Sequence, residues 1–134
     1  MNSLMRFGCR TVQLAFRLAM PLLPYREPER LEHVADLPDL LAREGVPSVL
    51  LITDHPLREG GVTAPLEALL QERGIRCAVY DRTRANPTVH NVEEAYALYC
   101  AEDCCALIAF GGGSSMDCAK AVGARAAYPK RQVN

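Results

Sequence analysis

The sequence predicts an α/β fold built on a parallel sheet, and three observations support that prediction. Short runs of strand-forming residues alternate with segments of helical periodicity from residue 29 to residue 128. The first of these runs, residues 48–53, is apolar on both faces, as in a strand covered by helices on both sides. The chain has 134 residues, 49% of them hydrophobic and 23% charged, which is typical of one globular domain.

The first 26 residues contain four arginines and no acidic residue. Apolar residues spaced between Val12 and Leu22 favour a short amphipathic helix, which Pro21 and Pro24 would end. A targeting segment is the alternative, because arginine-rich stretches without acids are typical of transit peptides. No apolar run reaches about 18 residues, so no membrane-spanning helix and no membrane partner are expected.

The rest of the chain is predicted to alternate between helices and strands. Residues 29–44 have helical periodicity, but Pro38 lies inside them, so two short helices are possible before Gly45 ends the segment. The predicted strands are residues 48–53, 75–80 and 106–110, and the predicted helices that follow them are residues 62–73, 91–103 and 115–128. Strands and helices in this order predict right-handed parallel crossovers.

Three polar or glycine-rich features follow the three predicted strands. They are Asp54, the loop of residues 81–88, and the glycine run of residues 111–113. The carboxyl ends of parallel strands meet at one edge of a sheet, where such folds bind their ligands. We therefore expect these features to share that edge.

The glycine run links a strand to a helix, and three glycines allow backbone amides to approach a bulky anion. The helix that follows presents free N–H groups and partial positive charge to the same point, which favours a phosphate or pyrophosphate. Ser114 and Asp117 have the spacing of a capping box. Met116 stands where a third glycine would complete the dinucleotide fingerprint, so a purely structural turn remains the alternative.

Asp54 is the second candidate, because an acid at a strand end accepts hydrogen bonds from a ribose diol and repels a 2′-phosphate. A helix-capping or solvated aspartate is the alternative. A small-residue stripe, formed by Ala119, Gly123 and Ala126, suits close packing of the last helix on the sheet.

The residues from Gly111 to Lys120 resemble the signature of the iron-containing, or group III, alcohol dehydrogenases. Thr53-Asp54 and Asn86-Pro87-Thr88 resemble two further landmarks of that family, in the same order and spacing. The resemblance implies a truncated Rossmann-like nucleotide-binding domain, preceded by N-terminal helices. It divides the chain into a helical leader, residues 1–45, and an incomplete dinucleotide-binding domain, residues 46–134.

The resemblance also implies an oxidoreductase that transfers hydride between an alcohol or aldehyde and NAD, with NAD expected in preference to NADP. Asp54 would meet the adenosine ribose and Asn86 would lie beside the adenosine half of the cofactor. The expected pyrophosphate and adjoining ribose contacts are Gly111, Gly112, Gly113, Ser114, Ser115 and Asp117. A valine at Gly112 is expected to block this approach through its side chain and through forbidden backbone dihedrals.

In the family an Asp and three His hold Fe²⁺ or Zn²⁺ after the point where this sequence ends, and His33, His55 and His90 do not match those positions. No catalytic or metal residue is therefore assigned, and the chain is expected to be a fragment without turnover. The full-length form is expected to be a homo-oligomer. Alternatives are a relative of glycerol dehydrogenase or dehydroquinate synthase, a non-catalytic interaction module, or an unrelated phosphate-binding fold.

The six cysteines and the net charge indicate which metal sites, compartments and partners to expect. The spacing of Cys100, Cys104 and Cys105 is not that of a structural zinc site, so reduced thiols in a cytoplasmic protein are expected. The net charge is −1, with three Phe, five Tyr and no Trp, which gives no electrostatic case for nucleic acid as a partner.

Overall fold

The computed structural model of the chain describes residues 28–129. The chain divides into two compact units, Met1–Arg30 and Leu31–Asn134, and all the helices and strands described lie in the second. The amphipathic helix predicted between Val12 and Leu22 falls outside the described residues. The division into residues 1–45 and 46–134 remains a prediction.

The segment before the first strand contains two short helical pieces, as its internal proline suggested. A 3-10 turn, Val34–Asp36, leads directly into helix α1, Leu37–Arg43. Pro38 lies in the first turn of α1, where its missing N–H has no intrahelical partner to lose. Leu37 and Leu41 pack against the core.

Three parallel strands form the sheet: β1, Ser48–Ile52; β2, Arg76–Tyr80; and β3, Ala106–Ala109. Their spatial order is β2-β1-β3, with Val49 aligned to Cys77 on one side and to Ala106 on the other. Every residue of β1 is buried, which explains why its sequence is apolar on both faces. The prediction of an α/β fold with a parallel sheet is confirmed.

Four helices follow the strands: α2, His55–Glu59; α3, Ala64–Glu72; α4, Val89–Ala101; and α5, Gly113–Ala127. The last three match predicted helices with shifts of one or two residues at their ends. Helix α2 was not predicted, because five residues are too few to show a helical period. The local signal for it is Asp54 at the N-cap with Pro56 in the first turn.

The strands alternate their side chains between two apolar clusters, one on each face of the sheet. Leu50 and Ile52 pack with α4 and α5, through residues such as Val92 and Val122. Val49 and Leu51 pack with α3, through Leu66 and Leu70. Helices therefore cover both faces, so a ligand would bind at an edge of the sheet or at the ends of its strands.

Arg125 of α5 adds two contacts to the apolar packing between α5 and α4. The Arg125 guanidinium donates to a Glu93 carboxylate oxygen at 2.9 Å and lies 4.6 Å from the centre of the Tyr96 ring. At the other edge of α5, Gly123 faces Leu107 of β3. In the part of the chain that the structure describes, no helix has both the length and the apolar character to cross a membrane.

Candidate functional site

The strand order places a crevice between β1 and β3 at their carboxyl ends. From β1 the chain crosses to β2 on one side, and later returns to β3 on the other side. Where the order reverses in this way, the connections leave in opposite directions and open a crevice. Asp54 follows β1 and Gly111 follows β3, so two of the three predicted features flank this crevice. The loop that contains Asn86 follows β2, the neighbour of β1.

Gly111 forms the bend between β3 and α5, and it has two separate requirements for glycine. Its φ is 133°, a conformation that side chains other than glycine rarely adopt. A Cβ at this position would also lie 3.0 Å from both Leu57 Cδ1 and Ser115 Oγ. The side chains of Leu57 and Ser115 therefore fill the space next to Gly111.

Gly112 and Gly113, in contrast, face open space. No heavy atom lies within 4 Å of the position that a Cβ would take on either residue, once their chain neighbours are set aside. Gly112 is the N-cap of α5 and no side chain caps this helix. The first-turn amides are therefore without the usual side-chain acceptor, at a point where the surface is bare.

The capping box predicted from Ser114 and Asp117 is wrong, because the helix begins before Ser114. Gly112 takes the N-cap position, so Ser114 lies in the first turn. The carboxylate of Asp117 instead accepts from Lys120 Nζ at 3.4 Å on the exposed side of α5. The consequence is that the amides at the start of α5 remain available to an anion.

Three buried hydroxyls at this end of the sheet, those of Thr53, Thr83 and Ser115, have no hydrogen-bond partner within residues 28–129. Ser115 is 1% exposed and Thr53 is fully buried. A buried hydroxyl without a partner is unfavourable by about 1–3 kcal/mol, so such groups are uncommon in native proteins. Ser115 was predicted to contact a ligand; Thr53 was noted only as part of a motif.

Asp54 performs the helix-capping role that was its alternative interpretation. Its Oδ1 accepts from the Leu57 backbone N–H at 3.0 Å and so caps α2. Among the described residues no partner is recorded for Oδ2, and the residue is half-buried. One carboxylate oxygen thus remains for a hydroxyl group of a ligand, and the role of Asp54 toward a ribose stays a prediction.

Asn86 is exposed in the loop after β2, with a φ of 56°. Asparagine tolerates this left-handed conformation better than most residues. Thr88 then begins α4 with a capping box, in which its hydroxyl accepts from Asn91 N–H and Asn91 Oδ1 accepts from Thr88 N–H. The contact of Asn86 with a ligand stays a prediction.

A cleft of about 420 Å³ lies between the loops that follow β1 and β2. Its acids are already engaged: Glu94 pairs with Arg82 at 3.2 Å, and Asp81 lies 3.5 Å from His55. The grouping of charged residues in this cleft was not predicted from the sequence. These residues come from three separate segments, and each one taken alone is typical of a solvated side chain.

The contact of Leu57 with the glycine bend could not be predicted from the sequence either. Leu57 is a single leucine in a segment without periodicity, so nothing distinguished it from a surface residue. The spacing of Asp54 and Leu57, as N-cap and third helical residue, was the available signal.

A parallel α/β sheet with a glycine bend and an uncapped helix at its switch point is typical of nucleotide-binding folds. Comparison with known families then identifies the particular branch. The family model described as "Iron-containing alcohol dehydrogenase" matches residues 30–134, and the chain belongs to this family. The resemblance read from the sequence is confirmed.

Similar proteins are dehydrogenases, and their names describe several alcohols. A choline dehydrogenase of Bacillus subtilis is 42% identical over 88 residues, which are 66% of this chain and 22% of that protein. A 1,3-propanediol dehydrogenase of Klebsiella pneumoniae is 33% identical over 116 residues, 84% of this chain and 29% of that protein. The solved structure of a 1,3-propanediol oxidoreductase has a TM-score of 0.68 and 32% identity, covering 71% of this chain and 25% of that one.

The chain therefore spans about a quarter of the length of the relatives that it matches. The family is described as iron-containing, but the described residues do not fit such a metal: residues 28–129 contain no group of three or more His, Cys, Asp or Glu placed to hold one. The amides at the start of α5, which no side chain caps, do fit a dinucleotide diphosphate.

Proposed function

We propose that this chain supplies the cofactor-binding part of a metal-dependent alcohol dehydrogenase, which transfers hydride between an alcohol or aldehyde and NAD. The observation that carries the proposal is the glycine bend, with open space over Gly112 and Gly113 and an uncapped helix behind them. Membership of the alcohol dehydrogenase family supports it.

The chain's own residues have distinct parts in this binding. The amides of Gly112, Gly113 and Ser114 donate to the diphosphate, whose negative charge the N-terminus of α5 stabilises. The free carboxylate oxygen of Asp54 accepts from the adenosine ribose and disfavours a 2′-phosphate, while Asn86 lies on the adenosine side. Bound NAD would supply the hydride acceptor.

Titration of ¹⁵N-labelled protein with NAD tests the proposal, because NMR detects even weak binding. We expect the amide resonances of residues 111–115 to shift most. Gly112→Val should weaken binding at least tenfold, because its side chain would fill the space left for the diphosphate. The φ of Gly112 is −86°, so the forbidden dihedrals expected from the sequence do not apply and the variant should fold.

Gly123→Ala provides the matched control, since it changes a glycine of the same helix far from the bend. NAD binding equal to that of the unaltered protein is expected for it. Unshifted amides at residues 111–115 in millimolar NAD, or equal NAD affinity of Gly112→Val and the unaltered protein, would contradict the proposal.

Cofactor choice is tested by comparing NAD with NADP. We propose that NAD binds more tightly, and that Asp54→Asn narrows the preference while keeping an oxygen to cap α2. Equal affinities of the unaltered protein for the two cofactors would refute the role given to Asp54.

The 134-residue polypeptide is proposed to bind cofactor without turning over alcohol, and no step through a metal is assigned to residues 28–129. An assay of alcohol oxidation with NAD and added Fe²⁺ or Zn²⁺ tests this, and turnover would refute it. The five cysteines described are all free thiols, which supports a reducing compartment such as the cytoplasm. A homo-oligomer is proposed for the full-length form.

The second candidate function, an interaction module, is supported by the edge of the sheet. Within residues 28–129, β3 pairs only with β1, and an apolar groove of about 240 Å³ lies beside it, lined in part by Leu37, Ile108 and Phe110. An apolar edge strand without a charged residue invites pairing. Light scattering distinguishes the two candidates, because a monodisperse monomer argues against association through this edge.

A further inference from the structure

The short helix α2 joins the loop after β1 to the glycine bend, and its leucine is the point of contact. Leu57 Cδ1 lies 3.0 Å from the position that a Cβ would have on Gly111. The two residues follow different strands, β1 and β3, which lie on opposite sides of the switch-point crevice. Leu57 therefore links the two walls of the site, in addition to the backbone hydrogen bond from Phe110 N–H to Ile52 O.

The backbone of Leu57 is fixed on both sides. Its N–H donates to Asp54 Oδ1 at 3.0 Å, and its carbonyl accepts from Val62 N–H at 3.1 Å. Because both backbone groups form hydrogen bonds, the Cα of Leu57 is held in place and its side chain contacts Gly111 from a fixed position.

Helix α2 itself is tied to its surroundings at both ends. Arg58 donates to Thr63 Oγ1 at 3.3 Å and forms an ion pair with Glu67 of α3. His55 lies 3.5 Å from Asp81 in the loop after β2. A five-residue helix would fray in isolation, so these contacts are what make it a rigid support.

The bend at Gly111 is held by the side chains of Leu57 and Ser115, which lie against it, and by one backbone hydrogen bond just before it. Phe110 N–H donates to Ile52 O at 2.9 Å and holds the residue before the bend. The next residue, Gly111, has a φ of 133° and carries no side chain that could fix it. Leu57 lies against Gly111, whereas the position of a Cβ on Gly112 has open space around it.

We propose that Leu57 is a positioning residue for the cofactor site: it packs under Gly111 and holds the glycine bend in the conformation that presents its amides to the diphosphate. The proposal rests on the proposed function for its consequence in cofactor binding. The positioning itself is a property of the protein without ligand.

The experiment compares Leu57→Ala with Leu69→Ala in ¹⁵N-labelled full chain. Leu69 is a half-buried leucine of α3, as Leu57 is of α2, so both variants remove the same atoms from similar surroundings. Amide resonances and hydrogen exchange of residues 111–113 are measured without cofactor. We expect Leu57→Ala to shift these resonances and speed their exchange, and Leu69→Ala to leave them unchanged.

Leu57→Met provides the rescue, because methionine is unbranched, of similar volume and long enough to reach the bend. It should restore the resonances of residues 111–113 to near their original positions. With NAD added, Leu57→Ala should bind about tenfold more weakly than Leu69→Ala, a coupling of ordinary size between contacting groups.

The outcomes separate the two proposals. Unchanged amides at residues 111–113 in Leu57→Ala, or equal changes in Leu69→Ala, would overturn the positioning role whether or not NAD binds. Shifted amides in Leu57→Ala, together with no binding of NAD by the unaltered protein, would support positioning and refute the proposed function.

Discussion

At the scale of single residues, the three consecutive glycines differ in what they require. Gly111 has a backbone conformation that favours glycine and has protein atoms packed beneath it. Gly112 and Gly113 do not have a positive φ, and the space around the position of a Cβ on each is open. The sequence shows three identical residues, so this division could not be predicted from it.

Gly111→Ala should lower the free energy of unfolding by about 1–3 kcal/mol, because a Cβ adds strain at φ 133° and contacts Leu57 and Ser115. Gly113→Ala, in a helix with open space around it, should leave stability unchanged or raise it by up to about 1 kcal/mol. Urea unfolding measures both. Equal effects of the two variants would show that the bend tolerates a side chain at either position.

Cys77 should make stability depend on pH in the alkaline range. Burial, and secondarily Glu67, raises the pKa of its thiol from 9.0 to about 11. The folded state therefore keeps the proton longer than the unfolded chain, and the stabilisation is present below pH 9.0 and lost as pH rises through about 11. Urea unfolding of the unaltered protein and Cys77→Ala, near pH 8 and near pH 11, should show their difference in unfolding free energy shrinking at the higher pH.

At the scale of elements, the sequence predicted the segments with clear periodicity and missed the one without it. The three strands and helices α3, α4 and α5 were predicted to within one or two residues at each end. Helix α2 was not predicted, because it is shorter than two turns and shows no helical periodicity. The start of α5 was misplaced because Ser114 is a better N-cap by residue preference than Gly112, yet the bend at Gly111 brings the chain into helical geometry earlier.

Arg125 should carry much of the contact between α4 and α5. Its side chain is 15% exposed, pairs with Glu93 and lies over Tyr96, so Arg125→Ala should lower the free energy of unfolding by about 1–2 kcal/mol. Lys120→Ala is the control on the same helix, because its pair with Asp117 is exposed and should contribute less than about 0.5 kcal/mol. Thermal unfolding compares them; an equal loss in both variants would contradict this role of Arg125.

At the scale of the whole molecule, the candidate site depends on an arrangement that local patterns do not specify. Parallel crossovers were predictable from alternating strands and helices. The order β2-β1-β3, which creates the crevice beside Asp54 and Gly111, results from packing between segments about 55 residues apart. The proposed ligand role of Asn86 came from family resemblance, whereas that of Asp54 came also from its position at the end of a strand, and the structure adds that Asp54 caps α2.

If the proposed cofactor binds the folded state alone, it should stabilise the whole domain. At ten times its dissociation constant, NAD should raise the free energy of unfolding by about 1.4 kcal/mol, because binding removes folded protein from the unfolding equilibrium. Thermal unfolding with increasing NAD measures this. At the same NAD concentration, Gly112→Val should show a rise of at most about 0.4 kcal/mol, and an equal rise in that variant would place NAD elsewhere on the protein.

The central position of β1 has a consequence for synthesis of the chain. The strand is translated before both of its neighbours, and β3, which covers its second side, ends at Ala109. A nascent chain emerging from the ribosome therefore carries a half-paired apolar strand until Ala109 has left the exit tunnel. Ribosomal pausing before that point would leave β1 accessible to chaperones, and pausing after it would not.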